Sequence, residues 1–437
     1  MTEWNHEALS FSRCRRRRVR ADFSGGSISS NGGALLLREV DRRLELTERV
    51  ARALGDRRQR GKVRHEVLTM VRQRVHALAL GYEDLNDHDA LRHDEVVQTA
   101  CERAQALASA STLCRFERRA EPQWAVAIHQ VLVEQFIASH RRAPRKLVID
   151  FDATDDPVHG HQPGRFFHGY YDRYCFLPLY AFCGRQLLVA YLRPSNIDAA
   201  RHTWAILSLL VRRLRRAWPR VRIVLRGDSA FCRHRMLDWC DRNGVGYIVG
   251  LARNAVLERR VQASSAAAEH GFRATRHKVR VFTEFAYAAR TWRRTRRVIA
   301  RIEHGPKGRN PRFIVTNLPD PAKELYERVY CQRGEMENRI KEQQLDLFAD
   351  RTSCTKWWAN QYRVLLAALA YTLLETMRRT ALRGTALARA QCRTIRLRLL
   401  KIGAVVTRNT RTVAVRLSSA CPDEALFRLL VHRLTAG

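Results

Sequence analysis

Apolar residues recur at spacings of three and four through the first 140 residues, and no alternating run of useful length interrupts them. That period belongs to helices packed by one face. Val67, Leu68, Val71, Val75 and Leu78 form one such stripe, with Arg64, Arg72 and Arg74 mostly off it. Gly32 and Gly33 precede a second helix from Ala34 to Leu44, and a third runs from Pro122 to Ser139, started by Pro122 and bounded by Pro144. The pattern predicts an all-helical, basic domain over 1–140.

Beyond Pro144 the texture changes. Lys146 to Asp152, Tyr174 to Phe182 and Gln186 to Leu192 are short β-rich runs between Gly, Pro and polar clusters. A helix from Ala199 to Trp218, a strand from Val221 to Leu225, a helix from Arg233 to Arg242 and a strand from Tyr247 to Leu251 follow. Three antiparallel strands feeding two parallel ones through helical crossovers is the plan of an α/β, RNase H-like mixed sheet. On this reading 145–251 is the first part of a core and 252–320 a β-rich insertion, with strands at Val279 to Ala286, Arg297 to Glu303 and Arg312 to Thr316. The second part of the core, 321–380, carries helices from Lys323 to Leu347 and from Trp357 to Arg379. A region 381–437 closes the chain with a hairpin, Ala404 to Val415, and a helix, Glu424 to Leu434.

Charge narrows the function. Lysine and arginine outnumber aspartate and glutamate 79 to 43 in 437 residues, a formal net charge of +36 spread over nearly the whole length. The excess is mostly arginine, whose planar fork suits phosphate oxygens, so the expected partner is nucleic acid in preference to a membrane surface. The run Arg15 to Arg18 fits a phosphate-gripping arm or a solvated stretch equally. Eleven cysteines without a CxxC pair argue against a disulfide framework or zinc ribbon, and a cytoplasmic, nucleoid-associated location is expected. The longest apolar run, Val364 to Leu374, falls well short of the ~18 residues of a membrane span.

Phosphodiester chemistry needs something to ionise the attacking oxygen and something to neutralise the leaving one. Two Mg²⁺ ions about 4 Å apart do both. Mg²⁺ takes hard oxygen ligands, few of them from protein, so two aspartates and a glutamate from distant parts of a chain suffice, with Mn²⁺ able to substitute. Asp152 ends the first core strand and Asp228 the fourth; neighbouring strands would set them side by side. Asp228 is equally placed to cap a helix. Asp150 shares a strand face with Asp152, so pattern leaves the two unseparated. Asp155 and Asp156 read as turn residues, and His159 and His161 as a polar loop.

In Tyr330-Cys331-Gln332-Arg333-Gly334-Glu335-Met336-Glu337-Asn338-Arg339-Ile340-Lys341, steps of three, four and four join Tyr330, Arg333, Glu337 and Lys341 along one helical stripe. A surface ladder of ion pairs has the same spacing.

The segment resembles the bacterial insertion-sequence DDE transposases whose third acid lies in a Tyr-x2-Arg-x3-Glu-x6-Lys signature, and within them the family numbered 1380. The signature lysine would fall at Gln344, leaving Lys341, one turn earlier, as its substitute. The resemblance extends over Gly32 to Arg38, Gly81 to Asp87, the strand ending at Asp152 and Thr154, Arg226 to Phe231, and Ala359 to Arg363. It implies that Asp152, Asp228 and Glu337 are catalytic and hold the metal, and that Tyr330, Arg333 and Lys341 contact DNA. It also implies that the 1–140 domain reads terminal inverted repeats and that a homodimer bridges two DNA ends. The competing functions are an RNase H-like nuclease without strand transfer and a DNA-binding regulator that has lost catalysis.

Overall fold

The computed structural model describes residues 8–436. Among them, residues up to Phe116 together with those from Leu369 onward form one compact unit, and Glu117–Ala368 form another.

In the first unit the helices Ala34–Leu44, Leu46–Leu54 and Val67–Leu80 follow the apolar spacing, with two corrections. Helix Val67–Leu80 is buried on nearly every side, not on one face. It carries its cations inward because each finds a partner: Arg72 pairs with Asp41 at 3.4 Å and Glu102 at 2.7 Å, and Arg74 Nη1 lies 3.0 Å from His88 Nε2. Burial pulls His76 down to about 4 and His88 down to about 2, so both rings are neutral at pH 7.

The second correction is that the N-terminal region is not all-helical. Leu9–Cys14 and Arg17–Ala21 pair as an antiparallel hairpin, and Ile28–Ser29 adds a strand to Ala404–Arg408. Every residue of the hairpin is exposed, so no buried face imposed the alternation that marks a strand in sequence. Arg15 to Arg18 make its turn and enter its second strand, with Arg15 at φ 57°.

Within this unit the N-terminal and C-terminal segments fold together. Gly32 N donates to Ile402 O at 2.9 Å and Gly33 N to Leu400 O at 3.1 Å. A Cβ on Gly33 would stand 1.9 Å from Leu399 O, which explains the glycine before the Ala34 helix.

In the second unit the strands are β1 (Lys146–Ala153), β2 (Leu179–Cys183), β3 (Gln186–Tyr191), β4 (Arg222–Gly227), β5 (Gly246–Leu251), β6 (Val279–Tyr287), β7 (Arg296–Gly305) and β8 (Arg312–Thr316). They form one sheet in the order β6-β7-β8-β5-β4-β1-β2-β3. β1, β2 and β3 are antiparallel neighbours, while β4 runs parallel to β1 and β5 parallel to β4. These are the directions that the βββαβαβ order requires. The segment 252–320 is not a β-rich body set apart. It opens with helices Ala255–Arg260 and Gln262–Thr275, and its strands continue the same sheet, β8 pairing antiparallel with β5. The open edge of β5 presents backbone donors and acceptors that need partners, and β8 supplies them.

The run read as one strand from Tyr174 to Phe182 is two, Arg173–Phe176 and β2, separated at Pro178, which has no N–H to give a ladder. The first of them turns away to pair with Asp156–Pro157 and Phe166–His168.

Alternation along the strands sorts the faces. Ile149, Phe151, Ile223 and Leu225 join Leu207, Leu210 and Leu237 of the crossover helices on one side. Val224 and Ile248 meet Leu325 and Tyr326 on the other. Asp150 and Asp152 alternate with Ile149 and Phe151, so they point to the Leu325 side. Among the described residues no helix is long and apolar enough to cross a membrane, and no cysteine is joined in a disulfide.

Candidate active site

Parallel pairing of β1 with β4 sets Asp150 opposite Arg226. Two residues further along stand Asp152, on β1, and Asp228, just past the end of β4, at the same end of the sheet. Asp150 and Asp152, alike in pattern, have different surroundings. Arg226 grips Asp150 with two donors, Nε on Oδ1 and Nη2 on Oδ2, the latter at 2.7 Å, and its Nη1 holds Val329 O. Asp150 is thus a fully buried, fully paired acid. Asp152 accepts from the backbone N of Ala153 at 3.0 Å and from Arg333 Nη1 at 3.0 Å.

Asp228 does what its alternative reading asked: Oδ1 accepts from Ala230 N at 2.9 Å and caps the short turn Ser229–Phe231. Its Oδ2 has no hydrogen bond among the described residues. The turn needs Gly250 on β5 below it. A Cβ there would lie 2.7 Å from Ser229 N and 2.7 Å from the Tyr330 hydroxyl, so Gly250 lets both approach the sheet.

Glu337 arrives on a continuous helical stretch from Ala322 to Asp346. Leu325 and Tyr326 bury against the sheet, and Met336 and Ile340 further along are buried as well. The stretch is irregular: Leu325–Tyr330 and Glu342–Asp346 are wound as π-helix, and Cys331–Arg333 as a tight 3₁₀ turn. Such departures cluster at functional sites because they re-aim side chains. Here Arg333 turns toward the sheet. Its Nη2 donates to Glu337 Oε1 at 3.1 Å while Nη1 holds Asp152, so one guanidinium bridges the two acids.

Burial pushes the Asp152 carboxyl up to about 7; Arg333 opposes the rise, while Asp228 and Glu337 add to it. Asp152 therefore feels the charge of both other acids. Among the described residues no three His, Cys, Asp or Glu side chains are gathered closely enough to hold a metal ion together, and Arg333 lies between two of those in question.

Tyr330, Arg333 and Glu337 meet Asp152 and Asp228, but Lys341 does not. It is exposed and makes no hydrogen bond or ion pair among the described residues. Gln344, at the position of the signature lysine, donates from Nε2 to Asp155 O at 2.6 Å and so ties the helix to the loop after β1. Sequence reasoning missed Gln344 in that role, along with Gly250 and Arg226. It also misread Asp156, which is no turn residue. Asp156 is buried on a short strand, takes a hydrogen bond from Thr352 Oγ1 at 3.0 Å, and burial pushes its carboxyl well above the usual carboxylate range. His161 contacts Arg165 at 2.8 Å, as suits a polar loop.

The family model described as Transposase DDE domain group 1 matches residues 11–436. No curated protein matches the chain. Among solved structures, the cryo-EM structure of the piggyBac transposase synaptic complex with hairpin DNA is similar at a TM-score of 0.43 and 8% identity, covering 90% of this chain and 82% of that one.

Proposed function

Because the chain belongs to the DDE transposase family of domain group 1, we propose that it cuts the ends of its own insertion sequence and joins them to target DNA at Asp152, Asp228 and Glu337. The observation that carries the reading is the parallel β1–β4 register, which brings Asp152 beside Asp228 while Arg333 ties Glu337 to Asp152. Strand order and direction support an RNase H-like core for this site.

Oxygen donors of this kind fit Mg²⁺ or Mn²⁺. Burial does most to raise the Asp152 carboxyl and the charges of Asp228 and Glu337 add to the rise, so a cation bound here would favour its ionised form. Two such ions would supply the charge that ionises an attacking water or 3′ hydroxyl and stabilises the leaving oxygen. The chain's own part is positional. Arg226 neutralises Asp150 and leaves Asp152 as the acid facing the helix. Asp228 keeps its position through the Ala230 cap and keeps one oxygen for a ligand. Arg333 and Tyr330, beside these acids, would grip a phosphate next to the scissile bond. The partners are double-stranded inverted-repeat ends and target DNA, held by a homodimer in the nucleoid, and the charge of +36 supports a polyanionic partner.

The test is cleavage of DNA carrying the inverted repeats that flank the gene, in Mg²⁺. Asp228→Asn is expected to abolish nicking while leaving gel-shift affinity in Ca²⁺ nearly intact. Mg²⁺-dependent nicking retained by that variant would remove Asp228 from the site.

A further inference from the structure

Between β1 and β2 the chain leaves the sheet to form a small hairpin that the chemistry above does not use. Four large aromatic side chains on it face water: Phe166 is 41% exposed, Phe167 54%, Tyr170 85% and Tyr174 50%. Single exposed apolar residues are ordinary, but four exposed rings on one short hairpin, with Phe167 and Tyr174 in contact, mark a binding surface. We propose that this hairpin is a stacking platform for unpaired bases of a DNA strand lying beside the acid cluster. The inference rests on the DNA reading above and extends it to single-stranded substrate.

The platform is built, not loose. Phe166 pairs with Cys175, Phe167 with Tyr174 and His168 with Arg173 in antiparallel register. The tip Gly169 to Asp172 closes with Asp172 at φ 51°, a left-handed conformation that aspartate tolerates. Ser195 Oγ clamps the strand at Phe166, accepting from its N at 3.2 Å and donating to its O at 2.9 Å. Beneath, Cys175 and Phe176 are buried and Phe176 packs on Trp357 at 5.3 Å. The aromatics are thus held out by a rigid base.

Their arrangement suits bases in particular. Phe167 and Tyr174 meet edge to face at 5.7 Å, and the Arg165 guanidinium lies 4.6 Å over the Tyr174 ring. An aromatic face with a cation beside it takes a base by stacking and the adjoining phosphate by charge, without regard to sequence. The hairpin also borders the segment that follows Asp152: Asp156 pairs with Phe176, and Arg173 Nη1 lies 3.8 Å from Asp155 Oδ2. A duplex hides its base faces in its own stack, so only an unpaired strand can use this surface.

The test is fluorescence anisotropy of the full chain with labelled oligothymidylate and with a duplex of equal length, over a salt series. Phe167→Ala with Tyr170→Ala is expected to weaken single-strand binding about tenfold or more, the scale of losing stacked bases. Duplex affinity and the salt slope should stay unchanged, since no cation is removed. Tyr170→Trp should bind at least as well as wild type. Because Tyr170 is almost wholly exposed, Tyr170→Ala alone keeps the test valid if the double variant folds poorly; it should still weaken single-strand binding. Unchanged single-strand affinity in the variants, or an equal loss on duplex, would overturn the proposal. So would reduced self-association with DNA binding intact, which would mark a protein-docking face. A wild type that binds neither DNA overturns the transposase reading itself.

Discussion

Arg333 donates to Asp152 across 181 residues of sequence, Nη1 to Oδ2 at 3.0 Å, and turns its other amino group to Glu337 at 3.1 Å. A cation placed between two acids is a protein-borne substitute for the charge a metal would bring. The contact is largely withdrawn from solvent on the Asp152 side, whereas Glu337 is more than half exposed. The first arm of the bridge therefore carries more energy than the second.

Arg333→Ala separates the two roles open to this residue. An exposed ladder pairing would leave cleavage alone and cost under ~1 kcal/mol of stability. We expect instead that end cleavage falls by an order of magnitude or more, since a charge-assisted contact to the DNA end is lost. We further expect Mn²⁺ to bind the DNA-free variant more tightly than wild type, because the competing guanidinium is gone. Mn²⁺ paramagnetic titration and a cleavage assay on one preparation decide it; unchanged cleavage sinks the proposed role.

Asp150 and Asp152 should differ in kind. Asp150→Asn leaves the Arg226 guanidinium buried without its counter-ion, a loss on the order of 3–5 kcal/mol for broken buried pairs. Its defect should appear in the melting temperature. Asp152→Asn should fold at least as well as wild type in metal-free buffer and yet be silent in cleavage. Thermal unfolding of the pair reads this directly, and a stable, inactive Asp150→Asn would exchange their roles.

The Asp152 carboxyl gives stability a pH signature. It is pushed up to about 7 from a reference of 3.8. Between those values the folded chain keeps a proton that the unfolded chain has lost, so stability falls as pH rises through the window and levels off above about 7. Melting temperatures of metal-free protein from pH ~5 to ~8 should decline more steeply for wild type than for Asp152→Asn. Saturating Mg²⁺ should flatten the wild-type decline by favouring the ionised form. Parallel curves for wild type and variant would contradict the perturbation.

Much of this architecture was legible in the sequence because period and punctuation encode it. Helices Ala34–Leu44 and Trp357–Arg379 and strand Arg312–Thr316 have the bounds that the pattern predicts. The stripe from Tyr330 to Glu337 was legible by helical spacing alone. Its destination was not, for nothing in a 3.6-residue period tells which strand a helix faces. The N-terminal hairpin escaped because all its residues are exposed and leave no alternation. Nothing in the strand pattern from Tyr247 to Leu251 singles out Gly250, yet its missing side chain is what admits Tyr330 and the Asp228 turn. Asp150 and Asp152 could not be told apart until Arg226, on another strand, was placed against one of them.

Lys341 is the remaining part of the signature to test, and its surroundings give the expected size of the effect. It is exposed and holds nothing among the described residues, so Lys341→Ala should leave the melting temperature unchanged. If it meets a phosphate in place of the lysine absent at Gln344, its loss should weaken binding of DNA ends and lower the slope of log K against log salt by about 0.9, the share of one phosphate contact. Gln344→Lys is the converse. The Gln344 amide now holds Asp155 O at 2.6 Å, and an ammonium can either keep that bond or leave it for a phosphate. Added affinity with a slope raised by about 0.9 would show the second course. Should Lys341→Ala bind DNA ends with wild-type affinity and slope, this face of the helix past Glu337 makes no contact with DNA, and the stripe ends at the third acid.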